Sequence, residues 1–397
     1  MAAGEGGLIF FRGKVDAVDR FTDRMIAAAE KKGIPCLCLD ANEDPGLLAE
    51  RIIRFRDDRG ADIAAILFNN IYLMIPDQGR VIWDRLEIPV YDILLDHPVN
   101  YDRFLTDPIG QLHIVVIDRA HEAFIREVFP RVRCAGFLPL GGIEQSTGKP
   151  YAQREIDVLY VGQGHPERPY LPVPFLPDRG VAFYESVVNE LLHDPFITTE
   201  EAVRHFVSKE ALSLSREEML TLYNNAVISG EWNVRRIFKQ QIMKALGDAG
   251  IKVTIYGGNW EDSIDPENIR LAGSVTANEC RVLAGNARIC LNVMPWFKDG
   301  AHDRIFDAML NGSVCVTDTS RYLLERFEHG RELVFFELNN ILQLVENVRW
   351  LLDNPEQAES IARRGTMTAV LYDTWEKRME TLLSMIARDP GSEAERL

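Results

Sequence analysis

At 397 residues the chain is longer than the ~250–300 residues at which one hydrophobic core stops growing, so two domains are expected. A composition of 46% hydrophobic and 26% charged residues belongs to a folded globular chain and excludes a disordered or fibrous class. The formal charge of −16 disfavours nucleic acid and anionic lipid as partners; no apolar run approaches the ~20 residues of a membrane span, and the start Met-Ala-Ala-Gly-Glu-Gly-Gly lacks a signal peptide's basic and apolar stretch, so a cytoplasmic location is expected.

The first 150 residues alternate β-rich apolar runs with helical patterns. Strands are predicted at Leu8–Phe11, Pro35–Leu39, Ile63–Phe68, Val90–Leu95, Ile114–Ile117 and Ala135–Leu138, with helices over Asp16–Lys32 and Pro45–Asp57. Continuous apolar runs of this length suit a parallel sheet covered on both faces. After Gly141-Gly142 the polar stretch Glu144–Arg154 reads as a linker. A second α/β series opens at Ile156–Val161 and continues at Ile251–Tyr256, Ile289–Val293, Val314–Thr317 and Leu333–Phe336. The expected domains are therefore 1–150 and 151–371, followed by a C-terminal helical segment, 372–397, that crosses back to the first domain. A polar tail follows Ile386.

Between Pro177 and Trp232 lies a largely helical insertion, entered through the Pro-rich run Pro166–Pro177 and carrying a helix-cap signal at Thr198-Thr199-Glu200-Glu201. It reads either as a surface elaboration or as an element for acceptor recognition or homodimer formation. The six cysteines, at 36, 38, 134, 280, 290 and 315, form no C-x-x-C or zinc-type pairing and read as buried thiols. No D-x-D or H-E-x-x-H is present, so no metal is expected.

In open α/β sheets ligands sit beyond the carboxyl ends of strands, where backbone N–H groups and helix N-termini meet anions. Gly162-Gln163-Gly164 follows one strand, but Glu167 stands where a dinucleotide fingerprint needs its third glycine, so that fingerprint fails. Gly257-Gly258 follows another. Each pair alone is a tight strand exit; together, at equivalent strand ends, they suggest a cofactor- or nucleotide-binding edge. Trp260 and Trp296 either stack on a ligand or belong to the core. In the first domain, Tyr91–Asp96 runs into His97-Pro98, which leaves Asp96 and His97 as catalytic candidates or as a turn cap with a ring packed beneath it.

The segment from Arg270 to Phe336 carries the strongest signal. Arg270–Val275 precedes a helix, Asn286–Pro295 gives a strand, Asp299–Gly312 a loop and helix, and Ser313–Asp318 another strand. Asp299 and Asp307 are eight apart and are followed by Ala308-Met-Leu-Asn-Gly312. This order resembles the donor domain of GT-B glycosyltransferases, in which two acidic residues at this spacing precede Ala-x-x-x-Gly. Arg304-Ile-Phe-Asp307, Thr317-Asp318 and Phe327-Glu-His-Gly-Arg-Glu332 look most like its bacterial spore-maturation (CgeB-like) branch.

The resemblance implies an α/β fold of two facing Rossmann-like domains with a cleft, and transfer of a sugar from a nucleoside diphosphate sugar, UDP favoured over GDP, to a hydroxyl acceptor on a glycan, protein or small molecule. It implies no cofactor and no metal. By resemblance Asp307 accepts from the ribose hydroxyls, Asp299 approaches the donor sugar, and the backbone at Val275-Thr276 reads the base. His302 and Arg304 contact the diphosphate, or else cap a helix and form a surface ion pair. Arg235 and Lys239 neutralise the leaving phosphate, or else lie on a solvated helix face. His97 contacts the donor sugar in a retaining reaction, and Asp96 is the base in an inverting one. A nucleotide-sugar epimerase and a catalytically inactive surface-assembly protein remain alternatives on the same scaffold.

Overall fold

A computed structural model describes residues 6–145, 148–260 and 267–388. The chain divides into two compact units: Met1–Gly141 with Trp375–Leu397, and Gly142–Thr374. Each is built on a six-stranded parallel sheet.

In the first unit the strands are β1 (Gly7–Arg12), β2 (Cys36–Asp40), β3 (Ile63–Phe68), a small hairpin of β4 (Pro76–Asp77) and β5 (Arg80–Val81), then β6 (Val90–Leu94), β7 (Leu112–Val116) and β8 (Arg133–Phe137). The sheet order is β2-β1-β3-β6-β7-β8, and β3, β6 and β7 are buried along their whole length. That two-sided burial is why they read as largely apolar runs, broken only by buried Asp92 in β6 and His113 in β7.

The helix Trp375–Arg388 belongs to this unit, although the whole of the second unit separates it in sequence. Trp375, Met379, Leu382 and Ile386 form a stripe of helical spacing that packs on the helix Asp16–Lys31. The Trp375 ring stacks on Phe21 at 4.3 Å and meets Phe68 edge-on at 6.2 Å. Arg378 Nε donates to Leu140 O at 3.0 Å. The polar tail expected after Ile386 lies, from 389 onward, outside the described residues.

The second unit comprises β9 (Ile156–Val161), β10 (Val253–Tyr256), β11 (Ile269–Leu271), β12 (Ala287–Asn292), β13 (Val314–Asp318) and β14 (Val334–Phe336), in the order β11-β10-β9-β12-β13-β14. The stretch read as a linker is fastened to this unit. Arg154 is 6% exposed; its Nη1 donates to Ala287 O at 2.7 Å and its Nη2 to Asn311 O at 3.1 Å. A buried guanidinium with carbonyl partners is compatible with the interior, whereas its polarity in sequence suggested solvent.

The expected insertion forms the helices Gly180–His193, Thr199–Lys209 and Arg216–Asn225, then a π-helical turn, Ala226–Glu231, that continues into the helix Trp232–Asp248. Its cap is a reciprocal one: Thr198 N donates to Glu201 Oε2 at 2.8 Å, and Glu201 N to Thr198 Oγ1 at 3.1 Å. Arg168, in the Pro-rich run, lies along this segment and donates Nη1 to Ile228 O at 2.8 Å. Among the described residues no helix is long and apolar enough to cross a membrane.

Candidate functional site

The second sheet changes winding direction between β9 and β12, the place where a doubly wound sheet opens a crevice beyond its carboxyl edge. Arg304 bridges those two strand ends. Its Nη1 donates to Val161 O, the last residue of β9, at 2.9 Å, and its Nε to the Asn292 side chain, the last residue of β12, at 3.2 Å. Nη2 is buried with no protein partner. Asn292 is fixed from the other side by donating to Thr317 Oγ1 at 3.0 Å.

Arg304 stands at the second position of the helix Asp303–Leu310, which His302 caps by accepting from Arg304 N through Nδ1 at 3.3 Å. The same ring nitrogen pairs with the Asp303 carboxylate, and burial, then the Arg304 charge, lowers the His302 pKa against the pull of Asp303. The capping reading of His302 therefore describes its placement, while Arg304 is no surface ion pair.

Two glycine-rich exits lie backbone to backbone beside β9. Gly164 N donates to Gly258 O at 2.9 Å and Gly162 N to Tyr256 O at 2.8 Å. A Cβ at Gly164 would fall 2.1 Å from Asn259 O. One at Gly257, where φ is +144°, would fall 2.2 Å from Gly162 O. These glycines permit close contact of the two loops. Trp260, 1% exposed, donates Nε1–H to Gly162 O at 2.9 Å and is core.

The third wall is the helix Trp232–Asp248. Lys239 is 3% exposed and donates to Gln163 O at 3.1 Å, with its Nζ also 3.1 Å from His165 Nε2. Burial, then Lys239 and Arg235, drive the His165 pKa down to about 3, so its neutral ring accepts from Lys239. Burial, then the charges of Arg304 and Arg235, lower the Lys239 pKa well below its ordinary value. Arg235 is paired with Glu231 and lies 4.1 Å from the Trp296 ring centroid, with Lys239 Nζ at 5.8 Å from the same ring. Lys239 is not on a solvated face. Lys239 is thus repelled by both Arg304 and Arg235 at the carboxyl edge of the switch point, with Glu231 pairing only Arg235, and an anion would relieve that repulsion.

Beneath them, Tyr160 and Asp318 each bury an oxygen with no protein partner. Burial pushes the Tyr160 hydroxyl up to about 12 and the Asp318 carboxyl up to about 7; Asp318 Oδ1 accepts from Met294 N at 2.8 Å. Asp307 accepts from Ile143 N at 2.7 Å and from Arg281 Nε at 3.1 Å, so both oxygens already have a protein partner. Each retains a second lone pair, and a ribose would have to share the carboxylate. Burial raises its pKa against the pull of Arg281. Asp307 and Arg304 also line one cavity with Leu159, Cys280 and Asn292. Asp299 is half-buried in the loop before His302, and Thr276, beside half-buried Val275, caps the helix Ala277–Ala284 in a reciprocal box with Glu279.

Residues 235–384 match the family Glyco_trans_1_2, described as glycosyl transferase-like. That span opens on Arg235 and includes Lys239, Asp299, Arg304 and Asp307. Residues 235–384 are a glycosyltransferase family domain. No curated protein matches the chain. Among solved structures it is similar to an α-glucosyltransferase in complex with UDP and a 13-mer DNA, at 10% identity and a TM-score of 0.57, over 96% of this chain and 100% of that one. It is similar to HepE of Anabaena in complex with UDP and glucose, at 9% identity and a TM-score of 0.50, over 96% and 99%. TarM aligns with 86% of this chain at 12% identity and a TM-score of 0.47, and the chain spans 58% of TarM's length. The two-sheet architecture is the GT-B fold.

Residues 235–384, with β9 and the glycine exit that follows it, hold the nucleotide candidates, whereas Asp96 and His97 stand just past the end of β6 in the first unit. His97, 7% exposed, caps the short turn Pro98–Tyr101 by accepting from Val99 N at 3.2 Å; its ring packs on His121 and Phe124, each centroid at 4.9 Å. Asp96 is exposed and accepts from Asn69 Nδ2 at 3.2 Å and Tyr101 Oη at 3.1 Å. Sequence reasoning passed over His165, Asn292 and Tyr160. His165 carried a usable signal, since it stands one residue past the Gly162-Gln-Gly164 turn.

Proposed function

We propose that the protein transfers a sugar from a UDP-sugar to a hydroxyl acceptor without a metal, in the manner of the CgeB-like branch its motifs resemble. The observation that carries this reading is the cation cluster of Arg235, Lys239 and Arg304 at the switch point, with Lys239 itself buried. Burying a lysine beside two arginines opposes folding, and the arrangement is favourable once a diphosphate is bound. Charge grows on that diphosphate as the glycosidic bond breaks, so fixed cations stabilise the transition state more than the ground state. UDP is preferred because the HepE and α-glucosyltransferase structures hold it.

In this reading Arg304 and the helix it opens, with His302 as cap, receive the pyrophosphate, and Arg235 and Lys239 receive the leaving phosphate. The glycine exits at 162, 164, 257 and 258 allow the backbone close to the ligand. Val275-Thr276 reads the base, Asp307 shares its carboxylate with the ribose, and Asp299 faces the sugar. His97 contacts the donor sugar in a retaining reaction, and Asp96, the exposed residue of the two, is the base in an inverting one. A net charge of −16 favours a glycan, protein or small-molecule acceptor over nucleic acid.

Isothermal calorimetry against UDP, GDP, ADP, TDP and CMP tests the pocket. Binding of UDP in the presence of a chelator is expected, and binding of none would remove the proposal. NMR of an incubated UDP-sugar separates transfer from epimerisation, since an epimerase changes the sugar with no acceptor present.

A further inference from the structure

The helices between Gly180 and Asn225 carry no chemical motif, yet they reach the cation site at two points. Thr199, 3% exposed, donates its hydroxyl to Glu231 Oε2 at 3.1 Å. Glu231, 5% exposed, holds the Arg235 guanidinium through its other oxygen. The second point is Lys298, 5% exposed, whose Nζ donates to Pro195 O at 2.9 Å. Lys298 stands two residues past Trp296, the ring that Arg235 covers.

Both contacts fall on one turn, Pro195–Thr199, between two insertion helices. Phe196 N donates to Asp194 Oδ1 at 2.9 Å on its entry side, and the Thr198–Glu201 capping box closes its exit. Glu231 ends the π-helical turn. Glu231, Arg235 and Lys239 are spaced four apart and share one face of the continuing helix, so the Glu231 carboxylate meets Thr199 with one oxygen and Arg235 with the other, while Arg235 and Lys239 lie against Trp296. A carboxylate with one oxygen fixed by a hydroxyl has little freedom left for the other.

We propose that the insertion is a positioning device for the donor site: Thr199 acts through Glu231 to set Arg235 against Trp296, and Lys298 ties the Trp296 loop to the same turn. Thr199 and Glu231 are positioning residues, since neither reaches into the site itself. The inference rests on the donor reading of the cation cluster given above.

Thr199→Val keeps the shape and deletes the hydroxyl. UDP dissociation constants and melting temperatures are measured for the wild type, Thr199→Val, Thr199→Ser, Arg235→Met and the Thr199→Val/Arg235→Met double variant. Thr199→Val is expected to weaken UDP about fivefold. Thr199→Ser, which keeps the hydroxyl, restores the affinity, and Thr199→Val adds no further loss in the Arg235→Met background. Unchanged UDP affinity in Thr199→Val would overturn the inference. So would an equal loss with and without Arg235, because that pattern reports general loosening of the fold. If the wild type binds no UDP, the donor reading falls and this inference falls with it; UDP binding that is indifferent to Thr199 overturns only the positioning role.

Discussion

Replacing Lys239 with methionine separates stability from function, because the two should move in opposite directions. Lysine at this position is 3% exposed and repelled by Arg304 and Arg235, with Gln163 O and His165 Nε2 as its acceptors. Methionine fills similar volume without the charge. Removing a buried charge from like-charged neighbours outweighs the loss of two neutral acceptors, and a gain of about 1 kcal/mol in unfolding free energy is expected. Against that, a charge-assisted hydrogen bond to phosphate contributes about 1.5–3 kcal/mol, so UDP affinity should fall ~10- to 150-fold. The pH dependence has a definite sign. The folded-state pKa of Lys239 is depressed, so the unfolded chain binds more protons and wild-type stability rises with pH up to the ordinary lysine value of 10.5. The Lys239→Met advantage is therefore fully present below the depressed folded-state pKa and shrinks as pH rises toward the ordinary lysine value of 10.5. Urea unfolding at several pH values and calorimetric titration with UDP measure both effects. A variant that is less stable than the wild type, or that binds UDP equally well, would refute the reasoning.

Arg304→Lys keeps the charge but cannot reach Val161 O and Asn292 together, so thermal denaturation should show a loss of about 1–3 kcal/mol, with UDP binding weakened at least ~10-fold. For Asp318 the folded-state pKa is raised from 3.8 to about 7, so its contribution is fully present below the unfolded value and is lost as pH rises through about 7. Asp318→Asn should flatten that part of the stability profile, removing a penalty of up to about 4 kcal/mol at pH above the folded pKa. An unchanged profile counts against a buried, partly unsatisfied carboxyl. Asp96→Asn, at an exposed position, should leave UDP binding and melting temperature unaltered and lower turnover ~100-fold in an inverting reaction. His97→Ala should lower turnover at least ~10-fold with donor affinity nearly unchanged, and it should also cost about 1 kcal/mol of stability through the lost cap.

Ile63–Phe68 was legible because burial on both faces writes it as a continuous apolar run, and Ile156–Val161, apolar except for half-buried Asp157, also matches its strand residue for residue. The edge strand Ile269–Leu271 was not, since only Ile269 is buried and no apolar run marks it. Within the candidate site, Lys239 held a readable anomaly. It lies three, four and seven residues before Ile242, Met243 and Leu246, all buried, so a charge occupies the apolar stripe of its helix. Sequence could not show what compensates that charge. The contact from Thr199 to Glu231 spans 32 positions and exists only because the insertion helices fold against the π-helical turn. Arg304 makes the same point more sharply. Its fork is useful only if β9 and β12 are neighbours, and they are separated in sequence by the whole insertion and by two other strands. The spacing around Arg304 placed it at a helix start; the strand order turned that residue into a bridge across the switch point. The proposed anion site is therefore a property of topology acting on ordinary side chains, and a test that leaves each side chain intact but separates β9 from β12 should abolish UDP binding as completely as losing Arg304 itself.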